Sequence, residues 1–153
     1  MSMIKKKRKG ETIMATTIKG VVGGGLTISA SSATEIVPTG YLVNEEKTYD
    51  DDITRTITIP NGIHVIEVYA NASSSHEQDY PFYMTVSSNN KQWYYGSDYS
   101  EMVTFQGYIG VTQNKQYSIR VLTRVRGSES YIDRFYIKYS PEINNKTPTI
   151  YDY

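Results

Sequence analysis

The 153-residue sequence contains no cysteine, two histidines, one tryptophan and three phenylalanines. Without cysteine there is no disulfide framework, no thiolate zinc site, no iron–sulfur cluster and no cysteine nucleophile. Two histidines are too few for a His-rich metal site, so neither a metal nor a cofactor is expected. No stretch approaches the ~20 consecutive apolar residues of a membrane span. A secretory signal is not expected either, because Glu11, Thr12, Thr16, Thr17 and Lys19 interrupt any apolar region near the start. Synthesis in a cytoplasm, without export by a standard signal and without a membrane partner, is the expectation. An excess of one charge is also missing, since 16 Lys plus Arg balance 16 Asp plus Glu. That balance gives no global argument for a nucleic-acid partner.

The charge is unevenly placed. Five basic residues form one run, Lys5-Lys6-Lys7-Arg8-Lys9, which reads as a solvated tail more readily than as a nucleic-acid contact. A further reading comes from back-translation. Lys9-Gly10-Glu11 can be written AAA-GGA-GAA, a purine-rich ribosome-binding sequence correctly spaced before Met14. On this reading Met14 is the initiator and residues 1–13 are a translated leader. Removing the five basic residues and Glu11 leaves 11 basic and 15 acidic groups, a net of −4.

What is abundant is β texture and tyrosine. Residues 15–40 are small and polar, with Gly23-Gly24-Gly25 and Ser29-Ala30-Ser31-Ser32. They bury too little apolar area to order themselves unless they dock. One short strand is expected at 26–29. From about Thr54 onward, strands are expected at 54–59, 63–70, 82–87, 92–95, 102–111, 116–125 and 131–139. Turn signals such as Pro60-Asn61-Gly62, Ser88-Asn89-Asn90 and Gln113-Asn114-Lys115 separate them. Helix-period runs are lacking. The expected fold is all-β, an antiparallel sandwich of jelly-roll-like or Ig-like type. The expected layout is a leader or basic tail at 1–13, a Gly/Ser-rich arm or connector at 14–50, the sandwich at 51–140 and a C-terminal tail at 141–153. Pro141 and Pro148 argue against regular pairing in that tail. It reads as a frayed end or, more sharply, as an arm that lays its aromatics on a partner.

Alternation in the last two strands places Tyr117, Ile119, Val121 and Val125 on one parity and Arg120 and Arg124 on the other. In the next strand Tyr131, Phe135, Ile137 and Tyr139 share a parity, with Asp133 the exception, while Arg134 and Lys138 face away. Paired as a hairpin, the two strands would gather Arg120, Arg124, Arg134 and Lys138 on one face. Such a face keeps a sheet soluble. It is also a candidate contact for a neighbouring subunit's acids, for example Asp50, Asp51 and Asp52.

Catalytic signatures are absent. There is no G-x-S-x-G elbow, phosphate loop or H-E-x-x-H. His76-Glu77-Gln78-Asp79 lies on a Ser-rich loop, where a rigid triad is hard to hold, and His64 lies within a strand. Asp50-Asp51-Asp52 lacks the spacing of a calcium loop. Two acids meeting in space, among them Glu45 and Glu46, leave an acid-based glycosidase or lyase as a third reading. Tyrosine is more informative. Gln92-Trp93-Tyr94-Tyr95-Gly96-Ser97-Asp98-Tyr99 concentrates aromatics in a turn region, and Tyr80-Pro81-Phe82-Tyr83 forms a second cluster. Rigid rings bearing a hydroxyl suit wet recognition surfaces and sugar faces, although alternate aromatics in a strand also fill cores. Trp93, Tyr94, Tyr95, Asp98 and Tyr99 are therefore the candidate ligand-binding residues. Trp93 and Tyr95 share one parity and Tyr94 the other, so one face should keep an exposed ring.

The segment Thr56-Ile57-Thr58-Ile59-Pro60-Asn61-Gly62-Ile63-His64-Val65-Ile66-Glu67-Val68 resembles a pattern of phage tail, fibre and minor virion structural proteins. In that pattern a strand ends in Pro-x-Gly-Val/Ile ahead of a β-branched strand. Gly107-Tyr108-Ile109-Gly110-Val111-Thr112-Gln113-Asn114-Lys115-Gln116-Tyr117-Ser118-Ile119-Arg120-Val121 is similar to its companion element, with Gln113-Asn114 in place of Pro-Gly. The match spans residues 54–125 and consists of strand-and-turn grammar that identifies no functional residue. It implies a non-enzymatic virion module (capsid decoration, head fibre or tail component) that forms a homo-oligomer and contacts other virion proteins, with a surface glycan as a further candidate partner. A bacterial carbohydrate-binding or adhesin module is the alternative.

Overall fold

A computed structural model describes residues 37–75, 81–126 and 129–153. The leader, the strand expected at 26–29, His76-Glu77-Gln78-Asp79 and Tyr80 lie outside them. Within the described residues, β-branched and aromatic residues recurring at every second position bury one face of each strand. In chain order the strands are β1 (Gly40–Glu45), β2 (Asp52–Thr58), β3 (Val65–Ser74), β4 (Phe82–Ser88), β5 (Gln92–Asp98), β6 (Met102–Gly110), β7 (Gln116–Val125) and β8 (Ser130–Tyr139). A single-turn helix α1 (Pro141–Asn144) and a short strand β9 (Ile150–Tyr151) complete the chain.

The strands form two packed sheets, ordered β1-β8-β3-β6-β9 and β2-β7-β4-β5. All pairings are antiparallel except the parallel β6–β9 contact. The fold is an all-β sandwich. Its core joins Val68, Ile109, Phe135 and Ile137 of the first sheet to Phe82, Met84, Ile119 and Val121 of the second. The seven strands expected from Thr54 onward are present, with ends shifted by a few residues at most, apart from β3, which runs four residues further to Ser74.

The sandwich is wider than the 51–140 range expected for it. β1 comes from the presumed connector and pairs with β8. Its register slips between Tyr41 and Val43, and this irregularity breaks the alternation by which a strand is read. The tail is also docked on its own domain. Ser140 caps α1 by accepting from the Ile143 N–H at 3.0 Å, and Pro141 opens the turn. Asn144 then pins the turn to the sandwich. Its Oδ1 accepts from the N–H groups of His64 (2.7 Å) and Val65 (3.2 Å), and its Nδ2 donates to the Gly62 carbonyl (3.0 Å).

β7 and β8 do not form a hairpin. Although consecutive, they lie in different sheets, so the connection between them crosses from one layer to the other. Arg120 and Arg124 therefore face out from the four-stranded sheet, while Arg134 and Lys138 face out from the opposite side of the molecule. The expected single basic face does not exist. β8 also changes parity. Asn71 pairs with Arg134 and Ala72 with Ile132, leaving Asp133 as the extra residue of a bulge. Ile132 is thus buried together with Phe135 and Ile137, whereas Tyr131 turns outward and stays half-exposed.

Candidate functional site

Residues 93–98 lie in β5, the edge strand of the four-stranded sheet, and Tyr99 follows its end. Val86 pairs with Tyr94 and Ser87 with Gln92, so Trp93 is the extra residue of a bulge. The bulge lets two consecutive aromatics turn inward. Trp93 is only 6% exposed and belongs to the core, and its indole N–H finds no acceptor among the described residues. Tyr94 is half-buried and stacks on Phe105 of β6. Burial pushes the Tyr94 hydroxyl pKa up, with the Asp98 charge adding to it. Of the expected site, only Tyr95, Asp98 and Tyr99 stay exposed at the surface, with Tyr95 57% and Tyr99 59% accessible. Tyr95 packs against Tyr83 with ring centroids 6.1 Å apart. Asp98 serves its own turn by accepting from the Ser100 N–H at 3.1 Å.

Two of the three acids in the 50–52 run are paired within the chain, and Asp50 is exposed. Asp52 accepts a two-pronged bond from Arg120, with both contacts at 2.8 Å, and Asp51 lies 2.9 Å from Arg124. The Arg120 hydrogen bond holds the Asp52 carboxyl below its ordinary pKa despite some desolvation, and the same bond raises Arg120. These pairs join β2 and the loop before it to β7, within one sheet. Glu45 receives Arg55 through both guanidinium prongs, the Nη2–Oε1 bond being 2.8 Å. The hydrogen bond to Glu45 raises the Arg55 pKa against the opposing effect of burial. Arg55 lies between the buried Ile53 and Ile57 on the inward parity of β2. An inward charge on an edge strand discourages strand addition, and here it also ties β2 to β1 of the other sheet.

The outer face of the five-stranded sheet carries aromatics that the sequence reading did not single out. Cross-strand register sets Tyr136 beside Tyr69 and Tyr69 beside Gln106, and in the next row Lys138 beside Glu67 and Glu67 beside Tyr108. Tyr69 and Tyr136 stack with centroids 5.1 Å apart and planes 8° from parallel, and Tyr41 meets Tyr136 edge-on at 5.8 Å. Burial, followed by the Glu67 charge, pushes the Tyr136 hydroxyl pKa up. Cations lie over these rings. The Arg134 guanidinium is 5.1 Å from the Tyr136 centroid, Lys138 is 5.7 Å from Tyr41, and Lys146 is 5.6 Å from Tyr108. At the far end Lys47 lies 4.3 Å from the Tyr131 ring and 5.2 Å from Tyr49. Alternating Tyr and Lys or Arg at positions 134, 136 and 138 was the available signal. It was read there as charge alone.

Asp152, buried in the docked tail, has no hydrogen-bond partner for either carboxylate oxygen among the described residues. Among the described residues no three His, Cys, Asp or Glu gather as metal ligands, and no helix is long and apolar enough to cross a membrane.

No protein-family model matches the chain. No curated protein matches it either. Among solved structures it is similar to dimeric latent PorU from Porphyromonas gingivalis, with 10% identity, 77% of this chain covered and a TM-score of 0.47. The chain spans 14% of that protein's length, and so slight a likeness carries no argument.

Proposed function

We propose that the chain is a non-enzymatic phage virion structural protein, a capsid-decoration, head-fibre or tail component that acts by self-assembly. The observation that carries this reading is that the two segments bearing the resemblance form one corner of the sandwich. The Ile59 N–H donates to the Lys115 carbonyl (2.9 Å), and the Asn114 N–H donates to the Ile59 carbonyl (2.7 Å). Asn114 Nδ2 donates to Asn61 Oδ1 (3.2 Å), and the Gly62 N–H donates to Gln113 Oε1 (2.7 Å). A non-enzymatic role is supported by the use of Glu45, Asp51 and Asp52 as arginine partners within the chain.

Sedimentation of the full chain tests the proposal. A stable homo-oligomer is expected, with no turnover of polysaccharide. A chain that stays monomeric at every concentration overturns the self-assembly reading. The second reading, a bacterial carbohydrate-binding or adhesin module, draws support from the tyrosine-lined face, and a monomer that binds glycan would favour it.

A further inference from the structure

Going beyond the assembly reading, we infer that the outer face of the five-stranded sheet binds an anionic polysaccharide, with Lys47, Arg134 and Lys138 as its cationic contacts. The two outer faces of the sandwich treat their cations differently. On the four-stranded sheet Arg120 and Arg124 are paired with Asp52 and Asp51. On the five-stranded sheet no carboxylate among the described residues pairs with Lys47, Arg134 or Lys138. These groups lie over tyrosine rings instead, and Arg134 also donates to the Glu45 carbonyl (2.8 Å) and to Asn44 Oδ1 (2.7 Å), neither of which carries a charge. A cation–π contact orients a cation without cancelling its charge, so Lys47, Arg134 and Lys138 keep charge that Arg120 and Arg124 share with aspartates, with Glu67 standing beside Lys138 in the register.

The arrangement is linear. Lys138 and Arg134 share the outer parity of β8, and Lys47 sits over Tyr131 beyond the Asp133 bulge. At about 3.3 Å per residue, the stripe from position 138 to 131 is about 23 Å long, which suits a linear polymer bearing acids at intervals. The chemistry between the cations narrows the choice of polymer. Tyr136 has Tyr69 on one side and Arg134 within cation–π range, and its hydroxyl donates to Glu67 Oε2 at 3.5 Å, so it presents no free ring face. Stacking of bare bases or of uncharged sugars is thereby disfavoured. The exposed Tyr41 and Tyr49, with Lys138 and Lys47 over their rings, instead put hydroxyls beside cations, which fits a ligand that is both polyanionic and rich in hydroxyl groups.

Protein occupants fit less well. The hot spots of a protein interface need a desolvated apolar anchor and a pocket to receive it. This face offers Tyr edges, Lys, Arg, Glu67, Asn71, Thr104 and Gln106, with Asn71 already donating to Thr104 at 2.7 Å and Gln106 to Glu67 at 2.9 Å. A second copy docking face to face would set like charges against each other, because a two-fold interface uses the same patch twice.

The test measures binding of the full chain to alginate, a polyuronate, with neutral dextran and poly-L-glutamate as comparisons. Alginate is expected to bind, weakening as salt is raised, and dextran is not. Lys47→Gln with Lys138→Gln should weaken alginate binding about tenfold or more while leaving the melting temperature unchanged, since among the described residues neither lysine side chain makes a hydrogen bond or ion pair. Arg120→Gln with Arg124→Gln, an equal charge change on the opposite face, should leave it within about twofold. Absence of alginate binding overturns the inference, as does equal loss from the two pairs, which would mean generic charge attraction. Unchanged binding in the lysine pair would assign the contact to another cationic segment, such as Lys5–Lys9, and would also overturn it. Poly-L-glutamate binding as tightly as alginate would make the occupant an acidic protein. Solution mass plays no part in these readouts, so their failure leaves the assembly reading separately testable.

Discussion

Tyr94 stacks on Phe105 with ring centroids 4.8 Å apart and planes 26° from parallel, joining the two sheets along the β5–β6 side. Each ring leans over a glycine two residues further along its own strand. A Cβ on Gly96 would lie 2.6 Å from a Tyr94 ring carbon, and one on Gly107 would lie 2.8 Å from Phe105 Cζ. The glycines weaken their strands locally, and the rings lying over them offset part of that loss. On the other side of the sandwich the sheets are joined by charge, through Arg55 and Glu45. One open side is closed by stacking and the other by an ion pair.

Trp93→Ala should behave as a core truncation rather than as loss of a ligand site. With Trp93 in the core, removing its ring should cost about 3–5 kcal/mol in urea unfolding. Binding to a glycan array should change little wherever the variant is folded. A well-folded variant that loses glycan binding would restore Trp93 to a recognition role.

The corner between the β2–β3 and β6–β7 turns should be sensitive to backbone conformation. Gly62 has φ 88° and Asn114 φ 65°, both in the left-handed region. Gly62→Ala should destabilise by about 1 kcal/mol. Asn114→Val should cost more than Asn114→Gly, because a β-branched residue tolerates positive φ poorly. Thermal unfolding checks this order, and equal effects would mean that the corner relaxes.

A double-mutant cycle on Arg55→Ala and Glu45→Ala should return a favourable coupling of about 1 kcal/mol. Partial exposure of both side chains limits the value, and the two-pronged geometry keeps it above that of an ordinary surface pair. Zero coupling would show that the pair does not hold the sheet edges together.

Acid titration should reveal Asp52. Its folded pKa is depressed, chiefly by the Arg120 hydrogen bond. Its contribution to stability is therefore complete above the unfolded value of about 3.9 and is lost as pH falls through the lower folded value. Melting temperature followed from about pH 6 down to pH 2 should fall less steeply in Asp52→Asn than in the parent chain. Parallel curves would mean that the pair contributes nothing to folding.

Much of the sandwich was legible because a half-buried strand repeats every two residues. β7 reads directly, with Tyr117, Ile119, Val121 and Val125 buried in alternation. The reading failed where one extra residue shifts the parity. Leu42, Trp93 and Asp133 each lie at a register shift, and each concealed something: an additional strand, a core tryptophan, and the outward turn of Tyr131. The tail was misread for a different reason. Its order comes from Asn144 bonding backbone groups some 80 residues away, and local composition carries no trace of that.

Composition and alternation by themselves determined that this chain builds β strands with polar turns and offers neither thiol nor histidine-rich chemistry, since these properties depend only on residue type and local period. Partition of the strands between sheets was a tertiary decision. By placing β7 and β8 in different layers, the fold separated Arg120 and Arg124 from Arg134 and Lys138. It neutralised the first pair with neighbouring aspartates and set the second over tyrosines, where the charge survives.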